Sequence, residues 1–295
     1  MAELCRQCPR ECLVDRADRV GFCGVRETFS IARVALHMWE EPVISGTRGS
    51  GTVFFSGCNL RCVFCQNRCI SHGVEGRAVS EDELEALMLR LQDEGAHNIN
   101  LVTPTQYARQ LVRVLERVKP NLRIPVVYNC GGYESVETLR ALDGLVDVWL
   151  PDFKYYSSEL SGKYSSAENY FEVATGALSE MLRQQPKAVY GEDGMLKAGV
   201  IVRHLVLPGC RGDSIEVLRQ LEKRYGTHAF LLSLMNQYTP QFALDSPYRE
   251  LHRRVTTFEY DSVLRVAEEL GFDGFLQGRG AATAAYTPDF TEKTF

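Results

Sequence analysis

The sequence predicts an α/β fold built around a parallel sheet, and two patterns along the chain support this prediction. From Thr52 onward, short runs that are nearly continuous in Val, Ile and Leu alternate with longer segments that carry an apolar stripe. Strands that are buried on both faces show the first pattern, and amphipathic helices show the second. About six strand–helix units follow one another, which suggests an incomplete β/α barrel. Periodicity alone leaves a doubly wound open sheet as an alternative.

The elements can be assigned in order along the chain. An edge strand at 29–36 comes first, and a capping box of Ser80 and Glu83 begins the first long helix. A hairpin is expected at 187–197. The remaining predicted strands are 52–55, 98–104, 124–129, 146–154, 200–208 and 229–235, and the remaining predicted helices are about 106–118, a short one ending near 142, 167–183, 214–225 and 260–270.

Length and composition narrow the class of protein. The 295 residues allow one barrel-sized domain with an appendage, and we expect a cysteine-rich segment at 1–45, the barrel at 46–285 and a polar tail at 286–295. Lys and Arg number 33 against 38 Asp and Glu, and no basic run occurs, so nucleic acid is not the expected partner. Without a membrane span or a signal peptide, the ten cysteines favour reduced thiols and metal binding in the cytoplasm.

Three cysteines share one short loop directly after the predicted strand 52–55. Cys58, Cys62 and Cys65 are separated by three residues and then by two. An iron–sulfur cluster normally needs four thiolates, so three thiolates on a four-iron cluster would leave one iron open for chemistry. The alternatives are buried unreactive thiols or a zinc knuckle, for which Cys69 would supply the fourth ligand of a closed tetrahedral shell.

The Cys-x3-Cys-x2-Cys loop, with Phe64 directly before the third cysteine, resembles the signature of the radical S-adenosylmethionine (radical SAM) superfamily. Later motifs are similar to glycyl-radical-enzyme activases, most closely to the group related to pyruvate formate-lyase-activating enzyme. The resemblance implies an open-sided (β/α)6 barrel and a 4Fe–4S cluster whose open iron is chelated by SAM. It also implies reductive cleavage of SAM to a 5′-deoxyadenosyl radical that abstracts hydrogen from the substrate, with flavodoxin or ferredoxin as electron donor.

A second set of cysteines lies at the N-terminus. Cys5, Cys8, Cys12 and Cys23 are enough for a zinc ion or for a 4Fe–4S cluster without an open position. A segment this short cannot bury much apolar surface, so we expect a bound metal to fold it. An auxiliary cluster would suit electron delivery, and a zinc ion would be structural.

Polar residues follow or end several of the predicted strands, where parallel β/α folds bind their ligands. Charge-assisted bonds to the SAM carboxylate would come from Lys154 or Arg203. The resemblance implies further roles: Asn67 packs beside the adenine, and Asn129 lies near SAM where the activases have an aspartate. It also implies that Asp152 and Lys154 contact SAM or the glycine-loop substrate, and that Arg203 orients SAM.

Other polar residues and cysteines are expected to have ordinary structural roles. Glu40 and Glu41 could form a solvated face or border the site, and we expect the solvated face, because charged residues are usually exposed. His204 is expected to be a hydrogen-bonded core histidine rather than a ligand. Cys130 and Cys210 are expected to be small buried hydrophobic residues.

Three functions are compatible with these features. The first is a radical SAM activase that generates a glycyl radical on a partner enzyme such as pyruvate formate-lyase. The second is a radical SAM enzyme that modifies another peptide, a metabolite or a cofactor precursor. The third is a non-catalytic iron–sulfur or zinc protein, which the cluster loop and the polar strand ends disfavour.

Overall fold

A computed structural model describes residues 4–73, 76–277, 288 and 290 of the chain. Within these residues the ten strands are β1 (Phe29–His37), β2 (Ser50–Phe55), β3 (Arg77–Val79), β4 (Ile99–Val102), β5 (Val126–Cys130), β6 (Val148–Pro151), β7 (Val189–Tyr190), β8 (Leu196–Leu205), β9 (Leu231–Met235) and β10 (Gly274–Leu276). The α-helices are α1 (Pro42–Ser45), α2 (Arg68–Ser71), α3 (Glu81–Asp93), α4 (Ala108–Val118), α5 (Val136–Arg140), α6 (Ser158–Ser165), α7 (Tyr170–Gln184), α8 (Arg211–Tyr225) and α9 (Thr257–Leu270).

The strands form one mostly parallel sheet in the order β10-β9-β8-β6-β5-β4-β2-β1-β3. Neighbours from β2 to β10 are parallel, β1 is antiparallel to both β2 and β3, and the hairpin strand β7 pairs with β8. Within the described residues the two ends of this order, β10 and β3, do not pair with each other. The predicted α/β fold, an incomplete parallel barrel, is therefore confirmed.

All six predicted parallel strands are present, but the boundary of the sheet differs from the prediction. The strand predicted at the edge is β1, which lies inside the sheet because the short β3 pairs with its outer side through Phe29 and Val79. A seventh parallel strand, β10, follows α9. Both added strands have three residues, too few for a periodic pattern to be recognised in the sequence.

Two local predictions are confirmed by hydrogen bonds. At the start of α3, the Glu83 amide donates to Ser80 Oγ at 3.1 Å and the Ser80 amide donates to Glu83 Oε2 at 3.0 Å, which completes the capping box. In the predicted hairpin, β7 pairs with β8 and the Gly191 amide donates to the Met195 carbonyl at 2.9 Å, and Gly194 in its turn has a φ of 74°, a conformation that favours glycine. Helix α6 was not predicted, because its sequence SELSGKYS lacks a clear apolar stripe.

The sheet buries different side chains on its two faces. On β6, Trp149 packs in the large core between the sheet and the surrounding helices. Its neighbours Val148 and Leu150 point to the concave face, as the two-residue period of a strand requires. Ile44 of α1 is fully buried against this concave cluster. Helix α1 therefore closes one end of the concave face with an apolar plug.

No helix in the described ranges is both long enough and apolar enough to span a membrane. The expected tail at 286–295 lies outside the described residues apart from Pro288 and Phe290, and the ring of Phe290 meets that of Phe54 edge-on at 5.3 Å between centroids. The expected division of the chain at 45–46 and 285–286 remains a prediction.

Candidate active site

The concave face of the sheet encloses a cavity of about 320 Å³. Polar side chains reach it from the carboxyl-terminal ends of the parallel strands, where the sequence predicted a site. Every residue predicted for the catalytic cluster and for SAM binding lines this one cavity: Cys58, Cys62, Cys65, Asn67, Asn129, Asp152, Lys154 and Arg203.

The cysteine loop begins where the buried strand β2 ends. Gly57 has a φ of 82°, and a Cβ at this position would lie 2.6 Å from the Cys23 carbonyl oxygen, so the close approach of the two segments requires glycine. Arg61 also has a left-handed φ of 52° and turns the loop between its first two cysteines. The amide of Val63 donates to the Tyr164 carbonyl at 2.9 Å, which fixes the loop against α6.

Each of the three loop thiols accepts a hydrogen bond. The donors are Ser165 Oγ to Cys62 at 2.9 Å, Ser71 Oγ to Cys65 at 3.4 Å, and the Leu60 amide to Cys58 at 3.4 Å. Burial raises the pKa of all three thiols, and the positive charge of Lys154 lowers it in part. Donors aimed at sulfur suit metal-bound thiolates, since hydrogen bonds to the sulfurs help to set the potential of an iron–sulfur cluster.

Cys69, the fourth ligand of the alternative zinc site, is exposed on α2, whereas the other three thiols line the cavity. Across the described ranges, no group of three or more His, Cys, Asp or Glu side chains is arranged to hold a single metal ion. The spacing of Cys62, Cys65 and Cys69 therefore does not produce the zinc knuckle in this structure. Three cavity thiols that do not converge on one ion still fit a cluster, in which each thiolate binds a different iron.

A buried charged network forms the wall opposite the cysteine loop. Arg203 donates from Nε to Asp152 Oδ1 at 2.9 Å, from Nη1 to Glu40 Oε2 at 3.2 Å and from Nη2 to Asn129 Oδ1. Lys154 Nζ donates to Asp152 Oδ2 at 2.5 Å. The strands explain this convergence, because Asp152 directly follows β6 and forms a parallel bridge with Arg203 of β8.

The network favours the charged forms of Asp152 and Lys154. Burial alone would raise the pKa of Asp152, but Arg203 and Lys154 outweigh burial and lower it below its usual value. Burial works against the charge of Lys154, yet Asp152 and Cys62 raise the pKa of this amine above its usual value. The ammonium of Lys154 therefore stands between the carboxylate and the cysteine loop, where it can bind an anionic group such as the carboxylate of SAM.

The expectation that Glu40 and Glu41 form a solvated face is wrong. Glu41 is 8% exposed and the side chain of Glu40 is 9% exposed, and both line the cavity. Glu40 Oε1 accepts hydrogen bonds from the side-chain amides of Asn100 and Asn129, each at 3.2 Å. The apolar plug provides the physical reason: packing Ile44 into the concave face carries the two preceding glutamates in with it. We call Glu40 and Glu41 the acid floor.

The acids sit next to a short apolar run, PVIS, that begins at Pro42 and forms α1. That run is the one sequence signal that could have revealed the acid floor, because a buried plug draws its neighbours inward. Burial raises the pKa of Glu41 and Glu40 raises it further, while Arg203 and a side-chain hydrogen bond from Ser233 lower it.

The structural roles expected for His204, Cys130 and Cys210 are confirmed. His204 is 1% exposed, and its Nδ1 lies 2.7 Å from the Phe153 carbonyl oxygen, so Nδ1 carries the hydrogen. Burial lowers the pKa of His204 to about 4, which leaves the ring neutral. Cys130 and Cys210 are buried at 1% and 7% exposure.

The N-terminal cysteine segment packs directly against the cluster loop. The Cys58 amide donates to the Cys23 carbonyl at 3.3 Å. The guanidinium of Arg10 donates to the carbonyls of Asn59 at 2.8 Å and of Ser165 at 3.1 Å, so it joins the cluster loop to α6.

Neighbouring thiols contribute to the pKa shifts of two cysteines in this segment, although no three of its described thiols are placed to hold a single metal ion. Burial raises the pKa of Cys8 to about 12, with smaller contributions from Glu134, Cys23 and Cys5. Burial also raises the pKa of Cys23, and Cys5 and Cys12 add to that shift.

The chain is similar to known proteins in sequence and in fold. Residues 52–182 match the radical SAM superfamily. An uncharacterized protein of Methanocaldococcus jannaschii is 30% identical over 277 residues, which are 91% of this chain and 75% of that protein.

Two solved structures share the fold. Methylornithine synthase superposes with a TM-score of 0.50 at 17% identity, over 83% of this chain and 65% of its own length. A radical SAM methyltransferase from Sphaerobacter thermophilus superposes with a TM-score of 0.50 at 16% identity, over 79% of this chain and 67% of its own. At these identities the likeness extends to the architecture and no further.

Proposed function

Because this chain belongs to the radical SAM superfamily, we propose that Cys58, Cys62 and Cys65 hold its 4Fe–4S cluster and that the cavity beside them binds SAM. When bound, cluster and SAM together supply one-electron cleavage of SAM to methionine and a 5′-deoxyadenosyl radical. One observation carries the assignment: the three thiols open into the same cavity as the buried Asp152–Lys154–Arg203 network.

The residues around the thiols fit the polar groups of SAM. Lys154 offers a charged donor for a carboxylate. Asn67 lines the cavity, and its buried Oδ1 has no hydrogen-bond partner among the described residues. An acceptor in this position suits an N–H donor such as the adenine amino group. Arg203 and Asn129 are hydrogen-bonded to each other, and each is also hydrogen-bonded to Glu40. These bonds fix the orientations of the two side chains in the cavity.

The activase role is our proposal for the reaction: abstraction of hydrogen from a glycine of a partner enzyme such as pyruvate formate-lyase. The runs LPDFK and VRHLVLPG, which place Asp152, Lys154 and Arg203, support it through their resemblance to activases. The alternative is radical modification of another peptide, a metabolite or a cofactor precursor. Asn129 favours the alternative, since the activases have an aspartate at this position.

We further propose that Cys5, Cys8, Cys12 and Cys23 hold a second metal centre, either zinc or an auxiliary 4Fe–4S cluster. The number and spacing of these four cysteines support this proposal. Enzymes of the superfamily need a one-electron donor, and we propose a flavodoxin or ferredoxin in the cytoplasm. Contact between Cys23 and Cys58 suits an electron-relay role for an auxiliary cluster.

The test is anaerobic reconstitution with iron and sulfide, followed by iron counting and an assay for 5′-deoxyadenosine after reduction with SAM. We expect the wild-type enzyme to form deoxyadenosine and Cys62→Ala to form none. Cys69→Ala, which changes an exposed cysteine four residues from Cys65, is the matched control and should retain activity. Undiminished cleavage by Cys62→Ala would refute the cluster assignment. About four irons per chain would leave the N-terminal thiols to zinc, and about eight would assign them a cluster.

A further inference from the structure

The side of the cavity nearest the acid floor has more carboxyl groups than cationic side chains. Three carboxyl groups, of Asp152, Glu40 and Glu41, face two cations, Arg203 and Lys154. Arg203 bonds Asp152 and Glu40, and Lys154 bonds Asp152. Both cations are thereby engaged with other carboxylates, and neither donates a hydrogen bond to Glu41.

Glu41 is left with an oxygen that has no donor. Its Oε2 is buried and has no hydrogen-bond partner in the described part of the chain, although the side chain lines the cavity. A buried acceptor without a partner costs free energy in the folded protein. A water or a ligand can complete such a group, and one unpaired carboxylate oxygen can accept a hydrogen bond from one N–H donor.

The acid floor does not meet the ligand requirement of a divalent metal ion. Calcium requires about six to eight oxygen ligands, and magnesium requires about six in octahedral geometry. The acid floor offers one open oxygen, and no metal-ion arrangement of carboxylates exists among the described residues. The cavity of about 320 Å³ is large enough for an organic molecule. Its wall includes apolar side chains of five residues, namely Phe54, Val102, Leu205, Met235 and Phe275.

We propose that Glu41 binds an ammonium or guanidinium group of the substrate, with Glu40 adding negative charge beside it. This inference rests on the proposed function, since it assigns part of the same cavity to the molecule that donates hydrogen. The cysteine loop follows the carboxyl-terminal end of β2, whereas the acid floor directly precedes α1, and its Glu40 is bonded to Asn129 and Arg203. A substrate held by its cation at the floor therefore extends toward the cysteines along an apolar wall.

Calorimetric titration of the anaerobically reconstituted enzyme tests this subsite with three probes of similar size: n-butylammonium, n-butylguanidinium and the neutral n-butanol. We expect the cations to bind at least about tenfold more tightly than the alcohol, because a charge-assisted hydrogen bond is replaced by a neutral one. Glu41→Gln should weaken cation binding by at least about tenfold. Glu269→Gln, an exposed acid on α9, should bind the probes like wild type.

Equal affinity of the wild-type enzyme for butanol and butylammonium would overturn the proposal. This comparison does not use the variant, so it tests the proposal even if Glu41→Gln fails to fold. Unchanged cation affinity in a folded Glu41→Gln would also overturn it. If Na⁺ or K⁺ bound as tightly as butylammonium and displaced it, the acid floor would be a site for an inorganic cation, and the proposal would be overturned. Deoxyadenosine formation by the wild-type enzyme without probe is a separate measurement, so failure of the proposed function is distinguishable from failure of the subsite.

Discussion

We expect Glu134 to make the free energy of unfolding depend on pH. This carboxyl, in the loop after β5, is 2% exposed and accepts hydrogen bonds from Thr105 Oγ1 at 2.6 Å and from Tyr128 Oη at 3.3 Å. Burial raises its pKa from 4.5 to about 7, and the two hydroxyls only partly oppose the shift. Between these two values the folded protein holds a proton that the unfolded chain has released.

The sign and size of the effect follow from this difference. The contribution of Glu134 to stability is fully present below pH 4.5 and is lost as the pH rises through about 7. At about 1.4 kcal/mol per pKa unit, the interval corresponds to about 3 kcal/mol of unfolding free energy. Glu134→Gln removes the titration and keeps the shape, with the Gln oxygen accepting from Thr105 and the Gln amide donating to the Tyr128 oxygen.

Urea unfolding of wild type and Glu134→Gln at a series of pH values from about 4 to about 8 measures this contribution. We expect the wild type to lose about 3 kcal/mol relative to the variant across this range. Other buried acids, including Glu40 and Glu41, titrate in both proteins. Their contributions therefore cancel when the unfolding free energies of the two proteins are subtracted. Unfolding free energies that run parallel over the whole pH range would refute the reasoning.

Three further predictions concern the network, the plug and the cluster loop. Asp152→Asn leaves Arg203 and Lys154 buried without their shared anion, so we expect a loss of about 3 kcal/mol or more in urea unfolding. Ile44→Ala leaves a cavity in the concave core and should cost about 2 to 5 kcal/mol in the same assay. Ser165→Ala removes the hydrogen bond to the Cys62 sulfur and should lower the reduction potential of the reconstituted cluster, measured by potentiometric titration with the iron content unchanged.

Matched controls separate these effects from general damage. Asp82→Asn, at a side chain 95% exposed, should change the unfolding free energy by less than about 0.5 kcal/mol. Val189→Ala, at 51% exposure, is the equivalent control for Ile44→Ala. A stable Asp152→Asn would mean that the network is not energetically coupled, and an unchanged cluster potential in Ser165→Ala would mean that its hydroxyl does not stabilise the reduced cluster.

The sequence predicted the cavity residues well because the geometry of parallel strands leaves little freedom. Once strands and helices alternate, the carboxyl-terminal ends of the strands lie side by side, and Asn129, Asp152 and Arg203 must converge. The hydrogen bonds among these three side chains could not be predicted, because the pairing of donors with acceptors depends on strand register. The bridge that sets Asp152 beside Arg203 is an example.

The acid floor was missed for a different reason. Charged residues are usually exposed, so two adjacent glutamates were expected in solvent, and the four-residue run PVIS beside them was too short to override that expectation. Their burial is decided by Ile44, whose partners Val127, Val148 and Ile201 are distant in sequence. Strands β3 and β10 were missed because three residues show no period, and their pairing partners supply the evidence instead.

The hydrogen bond from the Cys58 amide to the Cys23 carbonyl links two regions that the sequence separates by 34 residues. Thermodynamic linkage is reciprocal: if occupancy at one site favours a conformation of the other, the second favours the first by the same factor. If the N-terminal thiols hold the metal that we propose and this bond couples the two sites, metal loading there would raise the iron affinity of the cluster loop, and the assembled cluster would in turn retain the N-terminal metal. Maturation of this protein would be cooperative, with half-loaded molecules less abundant than independent filling of two sites would give.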